Sequence, residues 1–183
     1  MTITRDKSDF GATRVQPLRP LFIDMIPSTC WFSNLRSELT PEEWTLVKKR
    51  ASARAGYCSE ICEGRGPKWP VECHERWGFD LNTRTQTLLG VSALCPDCHE
   101  VTHFGFARVQ DRNAVAKQHL MKINSWTATQ ANQHIEDADE LWLKRSSVED
   151  WKLDARWILG FVTLTAESKT KILGYANQML ERK

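Results

Sequence analysis

Four cysteines of this chain stand in two close pairs, Cys58 with Cys62 and Cys95 with Cys98. The thiolate is the form of cysteine that binds a metal, and two pairs brought together satisfy the tetrahedral coordination of Zn²⁺. Pairs that lie this close in sequence but are separated by a longer segment are typical of zinc sites. The spacing therefore predicts a structural metal site.

Two histidines follow the second cysteine pair directly. His99 and His103 are spaced i, i+4, which places both imidazoles on one face of a helix, where they can bind a second metal ion. A second interpretation stays open at this point. One of these histidines can instead complete a zinc site with three of the cysteines, which would leave no second metal centre.

Composition sets wide bounds on the protein class. The chain has 183 residues, a formal net charge of +2 and 41% hydrophobic residues, as is ordinary for a soluble globular protein. It shows no apolar run of membrane-spanning length and no signal peptide, so we expect a cytoplasmic protein without a membrane partner. In a reducing compartment the paired cysteines are expected to bind metal rather than to form disulfides. Binding to a polyanion would need a local basic patch, because the net charge is small.

The elements that must position these residues divide the chain into three predicted regions. Residues 1–39 are predicted to form an extended arm. Residues 40–106 begin with a helix, since Thr40 and Glu43 form a capping box around Pro41, and Gly56 gives a stop. Residues 107–183 are predicted to be helical.

Within the middle region the pattern predicts a β-hairpin and then a helix. Residues 69–79 and 84–89 are rich in β-compatible types and flank a polar turn at 80–83. The next helix begins near Pro96 and ends before Gly105. Helical patterns follow at 111–123, 127–144, 147–161 and 165–180. The predicted fold class is α+β, with a small metal-bound module among flanking helices.

Residues 54–105 resemble the HNH, or ββα-metal, endonucleases of the type that carries a four-cysteine zinc, in an uncharacterised bacterial or phage subgroup. The resemblance lies in the order of four features: a cysteine pair, a strand with a histidine (Glu72-Cys73-His74-Glu75-Arg76-Trp77), Cys95-Pro96-Asp97-Cys98-His99, and His103. It implies a small ββα-metal module in which structural zinc ties the hairpin to the helix.

The resemblance also implies a role for each motif residue. Structural Zn²⁺ would be bound by Cys58, Cys62, Cys95 and Cys98. A catalytic divalent ion, Mg²⁺, Mn²⁺, Ni²⁺ or Zn²⁺, would be bound by His99, His103 and the residue at the third-ligand position, Cys73. His74 would then activate water as the base, a role that suits its ordinary pKa. If His74 is instead the third ligand, Glu75 stands at the position of the base.

Two positions depart from the family pattern. Cys73 stands where many members have Asp or His, and a thiolate is a soft ligand that matches Mg²⁺ badly. Gly90 stands where the asparagine of the family name is expected, and that asparagine orients the base. Either Zn²⁺ or another transition metal is used, or the ligand set differs.

These residues predict a metal-dependent endonuclease that hydrolyses phosphodiester bonds of DNA. Candidate contacts to nucleic acid are Arg65, Lys68, Arg76, Arg84 and Arg108. The alternative is a non-catalytic zinc-binding module that binds nucleic acid or a protein partner, as an inhibitor or a subunit of a defence or phage assembly. A protein partner or a homodimer is possible in either case. His119 and His134 lie outside the motif and are interpreted as structural or surface groups.

Overall fold

The structure, a computed structural model, describes residues 20–30 and 33–180. Its helices are α1 (Leu35–Glu38), α2 (Pro41–Arg54), α3 (Pro96–Thr102), α4 (Phe104–Val109), α5 (Asn113–Asn124), α6 (Ala128–Ser146) and α7 (Ala166–Leu180). Its strands are β1 (Glu72–Asp80), β2 (Thr85–Leu94) and β3 (Lys152–Asp154), and 3₁₀ turns cover Ser28–Cys30 and Arg156–Gly160. The predicted α+β class is confirmed. Most of the predicted N-terminal arm, residues 1–19, lies outside the described residues.

Helix α2 begins at the predicted capping box. The Thr40 hydroxyl accepts the Glu43 N–H at 3.2 Å, and the Glu43 carboxylate accepts the Thr40 N–H at 2.9 Å. The same carboxylate also accepts the Thr165 N–H and the Ser168 hydroxyl, both at 2.7 Å. Glu43 is buried, so this carboxylate joins the start of α2 to the start of α7.

Strands β1 and β2 form the predicted hairpin, but β2 is longer than expected. It runs to Leu94 and therefore leads directly into Cys95 and α3. His74 pairs with Ser92 in the antiparallel register, and a bulge between Arg76 and Trp77 lies beside Gly90. The φ of Gly90 is +154°, a conformation that favours glycine. This explains, in backbone terms, why a glycine occupies this position.

The predicted helix over 147–161 is wrong. Strand β3 pairs parallel with the beginning of β2, and the 3₁₀ turn follows it. The Lys152 N–H donates to the Arg84 carbonyl at 2.8 Å, so this segment satisfies an otherwise open edge of β2. Leu153 and Ala155 are buried two residues apart, as on a strand, and Ala155 and Ile158 are buried three residues apart, as on a helix, which is why the apolar pattern alone misled.

Two hydrophobic cores surround the hairpin and α3. The first contains Val47, Leu88, Ile158 and Ile172 and joins α2, the sheet and the C-terminal segment. The second contains mainly residues of the 20–26 segment, α3, α4, α5 and α6, among them Leu21, Ile61, Val101, Phe104 and Leu120. Helix α3 consequently contacts the hairpin as well as α5. No helix of the described residues is both long and apolar enough to cross a lipid bilayer.

Candidate metal centres

Three imidazoles meet where β1 lies against α3. His74 Nδ1 is 3.2 Å from His103 Nε2, which in turn is 3.1 Å from His99 Nε2. Two nitrogens bound to one tetrahedral zinc ion are about 3.3 Å apart, since each Zn–N bond is about 2.0–2.1 Å long. The three side chains therefore form a group that could hold a metal ion. His103 completes it from the junction of α3 and α4, where its N–H donates to the His99 carbonyl.

Two carboxylates lie behind these imidazoles. Glu72, two residues before His74 on β1, forms a short hydrogen bond with His99 Nδ1, and this leaves His99 Nε2 for the ion. On the other side, Asp24 Oδ2 lies 3.9 Å from His74 Nε2, a buried nitrogen without a hydrogen-bond partner among the described residues. Carboxylates behind metal-binding histidines fix the ring tautomer and orientation. Glu72 is placed for that role, whereas Asp24 lies beyond hydrogen-bond distance of His74.

The protonation of the group suits metal binding. Burial, and after it the neighbouring imidazoles and Arg76, hold the pKa of His74 well below its ordinary value. Burial and the neighbouring His99 lower the pKa of His103 to about 4. Both rings are therefore neutral at pH 7, the state in which an imidazole donates a lone pair to a metal.

A second group consists of thiols. Cys62, Cys95 and Cys98 bring their sulfur atoms together, with Cys62 Sγ 3.5 Å from Cys95 Sγ. Cys95 is the N-cap of α3 and Cys98 lies in its first turn, whereas Cys62 comes from the loop after α2. The hydrogen bond from Cys98 lowers the pKa of Cys95, and those from His119 and Cys62 act in the same direction against burial. This group could also hold a metal ion.

The structure does not bring Cys58, the fourth predicted zinc ligand, into this group. Its sulfur accepts a hydrogen bond from Arg65 Nε at 3.3 Å and lies 3.6 Å from the Gly56 carbonyl oxygen. Beside one of the three thiols lies His119 Nε2, at 3.2 Å from Cys98 Sγ. His119 lies on α5, on the face that also carries the buried Ala116 and Leu120.

Cys73 does not join the imidazole group either. Neighbouring residues of a strand point to opposite faces, so with His74 turned towards α3, Cys73 packs against the first core. Burial raises the pKa of Cys73 to about 12, which keeps it a thiol. Among the described residues, His74 supplies the third metal-binding atom that had been predicted for Cys73.

The Glu75 carboxylate is fixed by hydrogen bonds to a backbone N–H and an indole N–H. It accepts the Leu35 N–H at 3.1 Å and the Trp77 indole N–H at 3.0 Å. Burial raises the pKa of Glu75 to about 7, against the effect of these hydrogen bonds. Glu75 nevertheless lines a cleft of about 380 Å³ together with His74, His99 and His103.

The five predicted nucleic-acid contacts differ in their surroundings. Arg84 and Arg108 form ion pairs with Asp150 and Asp139. Arg65 is exposed but bonded to Cys58 and Gly56, and Lys68 is exposed. Arg76 is different, because its Nε and Nη1 atoms are buried without a hydrogen-bond partner in the described part of the chain. Arg76 lines a second cleft, of about 440 Å³, together with Asp24 and Arg145.

Three site residues were missed in the sequence. The sequence could have identified Glu72, because residues two apart on a strand lie on the same face and Glu72 stands two residues before His74. His119 had a weaker signal, its place on a predicted helix between apolar positions. Asp24 had none, because it comes from a segment without regular structure that reaches the site only through its contacts, such as the Asp24 N–H donating to the Thr102 carbonyl.

Comparisons of the chain with protein-family models, with curated proteins and with solved structures found no match. Function must therefore be inferred from the residues and their geometry.

Proposed function

We propose that this protein is a metal-dependent endonuclease that hydrolyses phosphodiester bonds of DNA, built on an HNH-like ββα-metal module with a structural zinc. The observation that carries the proposal is the group of His74, His99 and His103. One imidazole comes from a hairpin strand and two from the end of the following helix, with neighbouring nitrogens 3.1 and 3.2 Å apart at the wall of a cleft.

A site of three imidazoles favours particular ions. Imidazole suits zinc, nickel, copper and iron, whereas Mg²⁺ prefers oxygen ligands and retains several waters. We therefore expect Zn²⁺ or Ni²⁺ to support activity better than Mg²⁺. A divalent ion bound there would polarise the phosphate and stabilise charge on the departing oxygen.

The protein groups around the ion have separate roles in this proposal. The three histidines would hold the ion, and Glu72 would orient His99 through its hydrogen bond. Because His74 is used as a ligand, Glu75 is the candidate base, the assignment that the family pattern gives when the preceding histidine binds the metal. Its carboxylate, fixed by Leu35 and Trp77, would take the proton from the attacking water in the shared cleft.

Arg76 is the candidate contact to a phosphate group. Two of its guanidinium nitrogens are buried without a hydrogen-bond partner among the described residues, and Arg76 follows His74 by two residues on β1. Arg84 and Arg108 would first have to leave their aspartate partners. Binding through such contacts should weaken steeply as salt is raised.

The test is cleavage of supercoiled plasmid by the full-length protein in EDTA, Mg²⁺, Mn²⁺, Ni²⁺ or Zn²⁺. The variants are His74→Ala, His99→Ala and Glu75→Gln, with His134→Gln as the matched histidine control. Glutamine retains an acceptor for the Ile23 N–H that His134 accepts at 3.0 Å. Each variant is checked for its fold and its structural zinc before the assay.

We expect metal-dependent nicking that is lost in all three site variants and kept in the control. Glu75→Gln should still bind the ion, whereas the two histidine variants should not. A folded, metal-loaded protein that cuts DNA with none of these ions would overturn the proposal. The alternative would then be the non-catalytic zinc module with a nucleic-acid or protein partner.

A further inference from the structure

We infer that the structural zinc site is formed by Cys62, Cys95, Cys98 and His119, and that Cys58 is not a ligand. The zinc would thereby join helix α5 to the hairpin module. This inference does not depend on endonuclease activity, because it concerns a different group of side chains from the three imidazoles.

The distances support a three-cysteine, one-histidine set. Cys62 Sγ and Cys95 Sγ are 3.5 Å apart, and Cys98 Sγ is 3.2 Å from His119 Nε2. In a tetrahedral zinc site two sulfurs are about 3.8 Å apart and a sulfur and a nitrogen about 3.6 Å apart, from Zn–S bonds of about 2.3 Å and Zn–N bonds of about 2.0–2.1 Å.

The loop that carries Cys62 is built around its sulfur. The Gly64 N–H donates to Cys62 Sγ at 3.4 Å, and the Ser59 N–H donates to the Gly64 carbonyl at 2.9 Å. The Glu60 N–H donates to the Ala93 carbonyl at 2.9 Å, which fixes the loop next to the end of β2 and therefore next to Cys95.

Cys58 lies on the other side of this loop and has partners of its own. Arg65 donates through Nε to the Cys58 sulfur at 3.3 Å and through Nη2 to the Gly56 carbonyl at 3.1 Å. One guanidinium thus bridges the sulfur and the backbone just after α2. Among the described residues, the Cys58 sulfur does not belong to the group formed by the Cys62, Cys95 and Cys98 sulfurs.

The position of His119 is fixed by packing. Ala116 and Leu120, on the same face of α5, are fully or almost fully buried in the core that includes Val101 and Cys98. At its first turn, α5 is also held to α3 by the ion pair of Arg112 with Glu100. The imidazole is therefore presented to the thiols by a rigid helix, as a zinc ligand should be.

The experiment uses the full chain with His99→Ala and His103→Ala, which removes the imidazole site so that bound metal reports only the thiol site. X-ray absorption of the zinc protein should give three sulfurs and one nitrogen. Zinc affinity is then measured by chelator competition in Cys58→Ser, Cys62→Ser, His119→Ala and His119→Cys, each made in this background.

We expect Cys58→Ser to retain full zinc affinity, and Cys62→Ser and His119→Ala to lose more than about tenfold. His119→Cys should still bind zinc, now with four sulfurs. If His119→Ala does not fold, the Cys58→Ser affinity and the parent spectrum decide the question. A spectrum with four sulfurs in the parent, zinc loss in Cys58→Ser, or unchanged affinity in His119→Ala would overturn the inference.

Discussion

Replacing Glu72 by glutamine tests whether the carboxylate behind His99 sets the affinity of the imidazole site. In the folded protein Glu72 accepts a short hydrogen bond from His99 Nδ1, and this bond lowers the pKa of Glu72. Glutamine has nearly the same size and can still accept a hydrogen bond. The substitution therefore removes the negative charge and leaves the geometry largely intact.

The size of the effect follows from exposure. Removing a carboxylate that hydrogen-bonds a metal-binding histidine typically lowers metal affinity 10- to 100-fold, or about 1.4–2.7 kcal/mol. The Glu72 side chain is 41% exposed and that of His99 is 23% exposed, so solvent screens part of the interaction. We therefore expect a loss near the lower limit, about tenfold in the dissociation constant.

The assay is isothermal titration of the imidazole site with Ni²⁺ in protein that already holds its structural zinc. Glu100→Gln is the matched control, because Glu100 lies next to His99 on α3 but forms its ion pair with Arg112. That control should bind Ni²⁺ like the unaltered protein. Equal affinity in Glu72→Gln and the unaltered protein would refute the role assigned to this carboxylate, and so would an equal loss in both variants.

Two further predictions concern stability. Burial acts to raise the pKa of Glu43, but its hydrogen bonds lower it from 4.5 to about 2, which corresponds to about 3 kcal/mol of stability. That contribution is present above pH 4.5 and is lost as the pH falls towards 2. In urea unfolding, Glu43→Gln should therefore have a free energy of unfolding up to about 3 kcal/mol lower than the unaltered protein at pH 7, and this difference should shrink below pH 4.5. The control Glu42→Gln, at an exposed position, should change the free energy of unfolding little. A difference that does not depend on pH would contradict the prediction. Gly66→Ala should lower the melting temperature, because a Cβ there would lie 2.2 Å from the Trp69 carbonyl oxygen. Gly160→Ala is the control and should have little effect, because its Cβ would meet no described atom within 4 Å. Equal melting temperatures for the two variants would show that the loop before β1 moves freely.

Local signals in the sequence were sufficient for several elements. The capping box of Thr40 and Glu43 places the start of α2, because both hydrogen bonds form within one turn of chain. The polar turn at 80–83 gives the hairpin. The pattern failed over 147–161, where a parallel contact with β2 outweighs helical spacing.

The residues of the two candidate metal sites also divide into those that their spacing in the sequence brings together and those that only the structure brings together. Cys95, Cys98, His99 and His103 lie on or beside one short helix, so their spacing alone brought them together. The choice between Cys73 and His74 required the structure, since a strand offers both faces and only docking of α3 selects one.

The sequence by itself determined the α+β class, the hairpin followed by a helix, and the presence of two groups of side chains that could hold a metal ion. Tertiary structure alone decided that His119 rather than Cys58 lies beside the thiols, and that Glu72 and Asp24 lie behind the imidazoles. The physical reason is the range of the interactions. Caps, turns and helical spacing act within a few residues, whereas these contacts form only after burial of apolar side chains such as Leu120 and Leu21 packs distant segments against α3.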